Sequence, residues 1–104
     1  MAKGLGQMMK QAQQMQQKMV RIQEEMEKQE IEAAAGGGMV TARVNGKQQL
    51  LAIKIDPSVV DAQDVDMLQD LILVAVNEAI RQSQDMMQQE MSKLTGGLNI
   101  PGLF

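Results

Sequence analysis

The chain has 104 residues, enough for one domain with a modest core, and it contains no cysteine, histidine, tryptophan or tyrosine. These absences remove thiolate and imidazole catalysis, a disulfide framework and the usual zinc or haem ligand sets, so an enzyme is not expected. The net charge of −3 argues mildly against nucleic acid as a partner, but the charges are unevenly distributed along the chain.

The first segment has an apolar residue at every third or fourth position over about three heptads, which predicts a long amphipathic helix. These positions are Leu5, Met8, Ala12, Met15, Met19, Ile22 and Met26. No proline interrupts the segment, and its many Gln, Met, Lys and Glu residues favour helix. We expect the helix to end near Glu30, before the three glycines at 36–38.

The middle of the chain has the alternation typical of short β-strands. Residues 31–35 are compatible with a first strand, which leaves two or three strands open. Residues 39–44 and 50–55 are the two clear strands. The side chains expected to face inward are Val40, Ala42 and Val44 from the former and Leu51, Ile53 and Ile55 from the latter.

The dipeptide Asn45-Gly46 separates the two clear strands and predicts a tight hairpin, because both residues tolerate the positive φ that such a turn needs. The sequence Asp56-Pro57-Ser58 then ends the second of them, since proline lacks the N–H that a strand ladder requires.

A second long helix is predicted from about Asp64 to Leu94, with Asp61 or Asp64 as its cap and Thr95-Gly96-Gly97 at its end. We therefore assign residues 1–95 to a single domain. Residues 96–104 form a flexible apolar C-terminal tail, which is either mobile or docked on a neighbour.

The element order predicts an α+β fold, helix, two or three antiparallel strands, helix, with both helices beside a small meander sheet. At 1.5 Å per residue the two helices are roughly 40 Å and 45 Å long, whereas a compact chain of this size has a radius of gyration of about 13 Å. Either the helix ends project as arms or a second subunit covers them. An isolated subunit would expose much of the methionine stripe, so we expect a homodimer.

The first 22 residues contain four cations and no acid, namely Lys3, Lys10, Lys18 and Arg21. On a helix Lys3, Lys10, Arg21 and Lys28 lie within about 20° of one line, with Lys18 about 60° away, and the apolar positions lie roughly 150° from that line. One interpretation is the solvated face of an amphipathic helix. The other is a stripe that contacts phosphates, which Arg81 and Lys93 extend from the second helix.

Other motifs fail on inspection. The segment around the glycines lacks a Walker motif, because Thr41 occupies the position of the required glycine and Gln48 that of the Ser or Thr. The aspartates at 61–70 lack the ligand spacing of an EF-hand. No cofactor, metal or small-molecule site is therefore expected. The chain also lacks a signal-peptide pattern and a membrane-spanning apolar run, so we expect it to be soluble.

Four segments together resemble one family. They are GLGQMMKQAQQMQQKM (4–19), MVTARVNGKQQLLAIKIDPSVV (39–60), DMLQDLILVAVNEAI (66–80) and the TGGLNIPGLF ending. They resemble the YbaB/EbfC family of bacterial nucleoid-associated proteins over nearly the whole chain.

The resemblance implies an α-β-β-β-α subunit and a tweezer-like homodimer whose helical arms hold double-stranded DNA. It also implies a cytoplasmic protein, associated with the nucleoid, that organises the chromosome with weak sequence preference and modulates gene expression. The proposed DNA contacts are assigned from charge and position: Lys3, Lys10, Lys18, Arg21, Arg81 and Lys93. The alternative is a protein-interaction adaptor that grips a partner with its methionine-lined arms.

Overall fold

The computed structural model describes the backbone of residues 2–95 and the side chains of residues 4–94. In order, the elements are α1 (Ala2–Lys28), β1 (Glu30–Ala35), β2 (Val40–Asn45), β3 (Leu50–Ile55), a 3-10 turn (Pro57–Val59) and α2 (Val65–Thr95). The strands form one antiparallel sheet in the order β1-β2-β3. The predicted α-β-β-β-α fold is confirmed, and the open choice between two and three strands resolves to three.

The observed element ends lie within one or two residues of the predicted ones. The largest of these differences is at α1, which ends at Lys28, two residues before the predicted end, so that β1 begins at Glu30. The Asp64 carboxylate accepts a hydrogen bond from the Met67 amide at 3.3 Å and caps α2. The predicted tail, residues 96–104, lies outside the described residues.

The core lies between α2 and the strands β1 and β2, and small side chains dominate it. Five of its seven buried residues are alanines, and these are Ala33, Ala35 and Ala42 on the sheet with Ala75 and Ala79 on α2. The other two, Val40 and Val44, are fully buried. Because alanine carries only a methyl group, the helix backbone can approach the sheet closely. Larger residues such as Leu71, Ile72 and Val76 surround this contact and are partly buried.

We predicted that Leu51, Ile53 and Ile55 of β3 face into the core, but these side chains are less buried than that prediction requires. Ile53 pairs with the buried Ala42 in the sheet, so it lies on the core-facing side, yet it remains 37% exposed. Leu51 and Ile55 are exposed as well. The reason is that α2 packs across β1 and β2 and leaves β3, one of the two edge strands, largely uncovered.

The hairpin between β2 and β3 lies where Asn45-Gly46 predicts it, but the turn differs from the predicted one. The loop covers residues 46–49, and its positive φ of 65° occurs at Gln48 instead of at Asn45 or Gly46. Positive φ values are used in the other hairpin, where Gly36, Gly37 and Gly38 have φ of 63°, 68° and 96°.

The subunit is strongly elongated, with principal extents of 73 × 26 × 16 Å and a radius of gyration of 20.1 Å. A compact chain of this length has a radius of gyration of about 13 Å. The two helices run antiparallel beyond the sheet. Near the sheet, Met26 of α1 and Met86 of α2 both approach Gly46. Farther from the sheet, Lys18 of α1 shares a groove with Leu94 of α2.

Candidate nucleic-acid interface

The position of α1 depends on a close backbone contact at Gly46. The Gly46 amide donates to the carbonyl oxygens of Met26, at 2.8 Å, and Gln29, at 3.1 Å. A β-carbon at this position would lie 2.6 Å from the Met26 oxygen and 2.9 Å from the Met86 methyl carbon, distances that no real β-carbon tolerates. Glycine is therefore required here for space, because the turn does not use a positive φ at this residue.

A buried hydrogen-bond network joins the same turn to α2. Asn45 is only 2% exposed, and its side-chain oxygen accepts from the Lys47 amide at 2.9 Å and the Gln49 amide at 3.1 Å. The buried Ser83 hydroxyl on α2 donates to the Asn45 carbonyl at 2.7 Å and accepts from the Gln48 amide at 3.2 Å.

We call this contact the junction, formed by Met26, Asn45, Gly46, Gln48 and Ser83. It fixes the end of α1 against both the sheet and α2. Sequence reasoning missed Ser83, because its partners are 35 and 38 residues away along the chain. In the sequence, only the turn predicted from Asn45-Gly46 indicated this region.

The apolar positions of α1 are buried at the junction and largely exposed at the outer end of the helix. Met26 is 5% exposed, Ile22 and Met15 are half-buried, and Met8 and Leu5 are 67% and 63% exposed. We call residues 2–22 of α1 together with residues 86–95 of α2 the arm. The arm is thus a pair of antiparallel helices near the sheet and a single exposed helix at its outer end.

Three of the predicted DNA-contact residues are exposed on α1 of the arm. Lys10, Lys18 and Arg21 take no part in the four ion pairs found among the described side chains. Lys18 and Arg21 also line one groove of about 290 Å³ with Lys93 of α2. The Lys93 ammonium is 3.1 Å from the Glu90 carboxylate, which offsets part of its charge.

Arg81 has a different environment from the other cations. It binds the Glu78 carboxylate through two nitrogens, at 3.0 and 2.6 Å, and the Asp85 carboxylate at 2.9 Å. The hydrogen bond from Arg81, with a further one from Gln82, lowers the pKa of Glu78 to about 2. Two carboxylates thus surround one guanidinium, and the cluster carries net negative charge at neutral pH. The spacing of Glu78, Arg81 and Asp85 at i, i+3 and i+7 already contained this signal.

The structure therefore brings together Lys18, Arg21 and Lys93, leaves Lys10 farther out along the same helix, and holds Arg81 among acids near the junction. Lys3 lies in the first turn of α1, and its side chain is outside the described set.

Within residues 2–95, no group of three His, Cys, Asp or Glu residues is arranged to hold a metal ion. The helices in that range also lack the combination of length and hydropathy that crossing a membrane requires.

The fold and this surface define a class of small α+β proteins that present cation-bearing helices from a three-stranded sheet. Comparison with known families narrows the class: the chain belongs to the YbaB/EbfC DNA-binding family, whose model matches residues 1–98. The resemblance noted in the sequence is thereby confirmed.

Relatives in other bacteria agree with this assignment. A nucleoid-associated protein of Alkaliphilus metalliredigens is 53% identical over 103 residues, covering 99% of this chain and 90% of that protein. One of Thermoanaerobacter pseudethanolicus is 56% identical, covering 93% of this chain and 87% of that protein.

The fold also matches a crystal structure, that of the uncharacterized protein HP0035 from Helicobacter pylori. The TM-score is 0.78 at 20% identity, and the match covers 86% of this chain and 94% of the other. At this identity the likeness concerns the fold alone.

Proposed function

We propose that the protein is a cytoplasmic, nucleoid-associated homodimer that binds double-stranded DNA with the cations of its arms. The observation that carries the proposal is the exposed cationic surface of α1 before Glu24, which contains no acid. Lys18 and Arg21 of this surface share a groove with the ion pair of Lys93 and Glu90 on α2. Cations that are exposed and not engaged by carboxylates can neutralise phosphates and release the counterions condensed on the duplex.

The uneven distribution of charge reconciles this proposal with a net charge of −3. No acid occurs before Glu24, and Glu90 is the one acid in the arm. By contrast, Asp56, Asp61, Asp64 and Asp66 lie before or in the first turn of α2, at the end of that helix remote from the arm. A duplex that meets the arms first therefore encounters positive charge locally, and the acidic end is directed away from it.

Weak sequence preference follows from the side chains on the arm. Four of the five cations of α1 are lysines, and lysine contacts phosphates as a point charge. Gln14 and Gln17 add polar groups that can bond to phosphate and sugar oxygens as well as to base edges. A protein that binds in this way suits organisation of the chromosome, and the same binding would modulate gene expression wherever it competes with transcription.

The proposed homodimer is supported by the exposed apolar edge of the sheet. The residues of β3 include Leu50, Leu51, Ile53 and Ile55, all between 37% and 49% exposed. An apolar edge strand of this kind pairs readily with another chain unless it is covered. A second copy on this edge would shelter it and leave both arms projecting.

The experiment that tests the proposal is a DNA-binding titration of a short duplex across salt concentrations, followed by fluorescence anisotropy. Affinity should fall steeply as salt rises. The double variant Lys10→Gln with Lys18→Gln should bind more weakly, with a salt slope shallower by about 3.6 if the dimer loses four phosphate contacts.

The matched control is Lys47→Gln with Lys54→Gln, which removes the same charge from exposed lysines outside the arm. It should leave the slope nearly unchanged. Absence of binding even at low ionic strength would exclude the DNA function, and equal losses in both double variants would place the contact elsewhere.

A second candidate function is the protein-interaction adaptor, which the exposure of Leu5, Met8 and Met9 favours. Methionine adapts its shape to irregular apolar surfaces, and such arms suit a partner helix. Stoichiometric recovery of one protein after nuclease treatment, together with failure of the duplex titration, would favour the adaptor over the DNA-binding protein.

A further inference from the structure

The outer half of α1 has an apolar surface that no other described element covers. A groove of about 600 Å³ runs along it. Its apolar lining consists of Met8, Ala12 and Met15 with Leu94 of α2, and Gln11, Gln14 and Lys18 supply its polar lining. Close to the sheet the same line of apolar residues packs against α2, and Met26 is buried there. Leu94 lies near the end of α2, and in the described residues α1 extends about two turns beyond it, toward its own N-terminus, without a neighbouring helix.

The chain that follows α2 is suited to this groove by position. Leu94 lines the groove, and α2 ends one residue later, at Thr95. Residues 96–104 therefore start beside the groove. At about 3.3 Å per residue these nine residues span up to roughly 30 Å, whereas α1 rises only about 15 Å from Met15 to Leu5.

Residues 96–104 are also suited to the groove by chemistry. They contain no charged side chain, and four of the nine are large and apolar: Leu98, Ile100, Leu103 and Phe104. Pro101 and Gly102 prevent continuation of the helix and favour an extended path. The exposed methionines opposite are adaptable, and a methionine thioether contacts an aromatic ring favourably.

We propose that residues 96–104 fold back along α1 of their own subunit and occupy the groove lined by Met8, Ala12, Met15 and Leu94. The segment then packs on the outer part of α1, just as α2 packs on the part of α1 nearer the sheet. Lys10 and Arg21 do not line this groove and stay exposed, whereas Lys18 does line it, so the docked segment lies beside one of the proposed DNA contacts. The proposal does not depend on DNA binding, and it assigns the apolar side of the arm to the chain itself instead of to a partner protein.

Disulfide trapping tests this directly, because the natural chain has no cysteine. Gly102→Cys is combined with either Met8→Cys or Met9→Cys in the full-length chain, and the rate of cross-linking under mild oxidation is measured. Met8 and Met9 are adjacent and similarly exposed, at 67% and 58%, but only Met8 lines the groove. A merely tethered segment reaches both sites equally, so docking predicts cross-linking about tenfold faster at Met8.

The size of the cross-linked product identifies the occupant. Docking within one subunit gives a product with the mass of one chain on a denaturing gel, whereas exchange between subunits gives twice that mass. Adding Leu103→Ser and Phe104→Ser should reduce the Met8 rate to the Met9 rate, because the apolar anchors are gone. Equal rates at the two sites, or a product only of double mass, would overturn the proposal.

Methionine oxidation provides a second test with the natural residues in place. Dilute peroxide converts an exposed methionine to its sulfoxide with release of water, and a covered sulfur reacts more slowly. Ending the chain at Thr95 should accelerate oxidation of Met8 severalfold and leave Met9 unchanged, as followed by fragment mass spectrometry. An unchanged ratio of the two rates would contradict docking.

Discussion

The substitution Gly46→Ala tests whether the junction holds α1 in place. The added methyl carbon would lie 2.6 Å from the Met26 oxygen and 2.8 Å from the Met26 β-carbon. Backbone must therefore move. Overpacking of this kind costs about 1–3 kcal/mol, and loss of the 2.8 Å amide bond to Met26 adds about 1 kcal/mol. The stiffer unfolded chain offsets up to roughly 1 kcal/mol.

The net expectation is a destabilisation of about 2 kcal/mol, which lowers the unfolding midpoint by roughly 10 °C in a domain of this size. Circular dichroism at 222 nm follows the transition, because tryptophan and tyrosine are absent. Protein concentration is held constant, since dissociation of an oligomer would otherwise shift the midpoint.

The same chemical change at Gly6 is the matched control. Gly6 lies within α1 and a β-carbon there meets nothing within 4 Å, so Gly6→Ala should stabilise the helix by about 0.5–1 kcal/mol. Opposite signs at the two glycines are the expected result. A Gly46→Ala protein as stable as the natural one would refute the role assigned to the junction.

Three further predictions concern the buried hydroxyl, the acid cluster and the sheet edge. Ser83→Ala removes a fully buried donor and should destabilise the protein by about 1–3 kcal/mol in the same thermal assay. The folded-state pKa of Glu78 is lowered from 4.5 to about 2, so its stabilising contribution is complete above pH 4.5 and is lost as the pH falls towards 2. Glu78→Gln should weaken the pH dependence of the unfolding midpoint in that range. An unchanged pH dependence would count against the pKa assigned to Glu78. Ile53→Asp should dissociate the proposed homodimer in a sedimentation experiment, to a species with the 11.4 kDa of one chain, whereas Met9→Asp on the arm should leave the mass unaltered.

The fold was predictable from the sequence because its elements are long and regular. Apolar spacing of three and four residues identified both helices, and alternation identified β2 and β3. The burial of β3 was not predictable, since alternation reveals which side chains share a face but not whether a helix covers that face. Ile53 has the correct orientation and still remains exposed.

The candidate site was predictable only in outline. The absence of acids before Glu24 indicated the cationic arm. Charge alone, however, could not distinguish Arg81 from Lys18 as a candidate DNA contact. Their environments differ because Arg81 has carboxylates on the adjacent helical turns, whereas Lys18 shares a groove with Arg21. Gly46 was recognised as a turn residue for the wrong reason, because its contact with Met26 arises between distant segments.

The alanine-rich contact between α2 and the sheet has a consequence for mutational surveys. Replacement by alanine usually reveals a protein interior by creating cavities, but Ala33, Ala35, Ala42, Ala75 and Ala79 already carry that side chain. An alanine scan would therefore detect this core only at Val40, Val44 and the larger residues around it, and would give no signal at its five alanines. At these five positions the interior should instead be revealed by enlargement, since each added methylene must push a helix away from the strands beneath it.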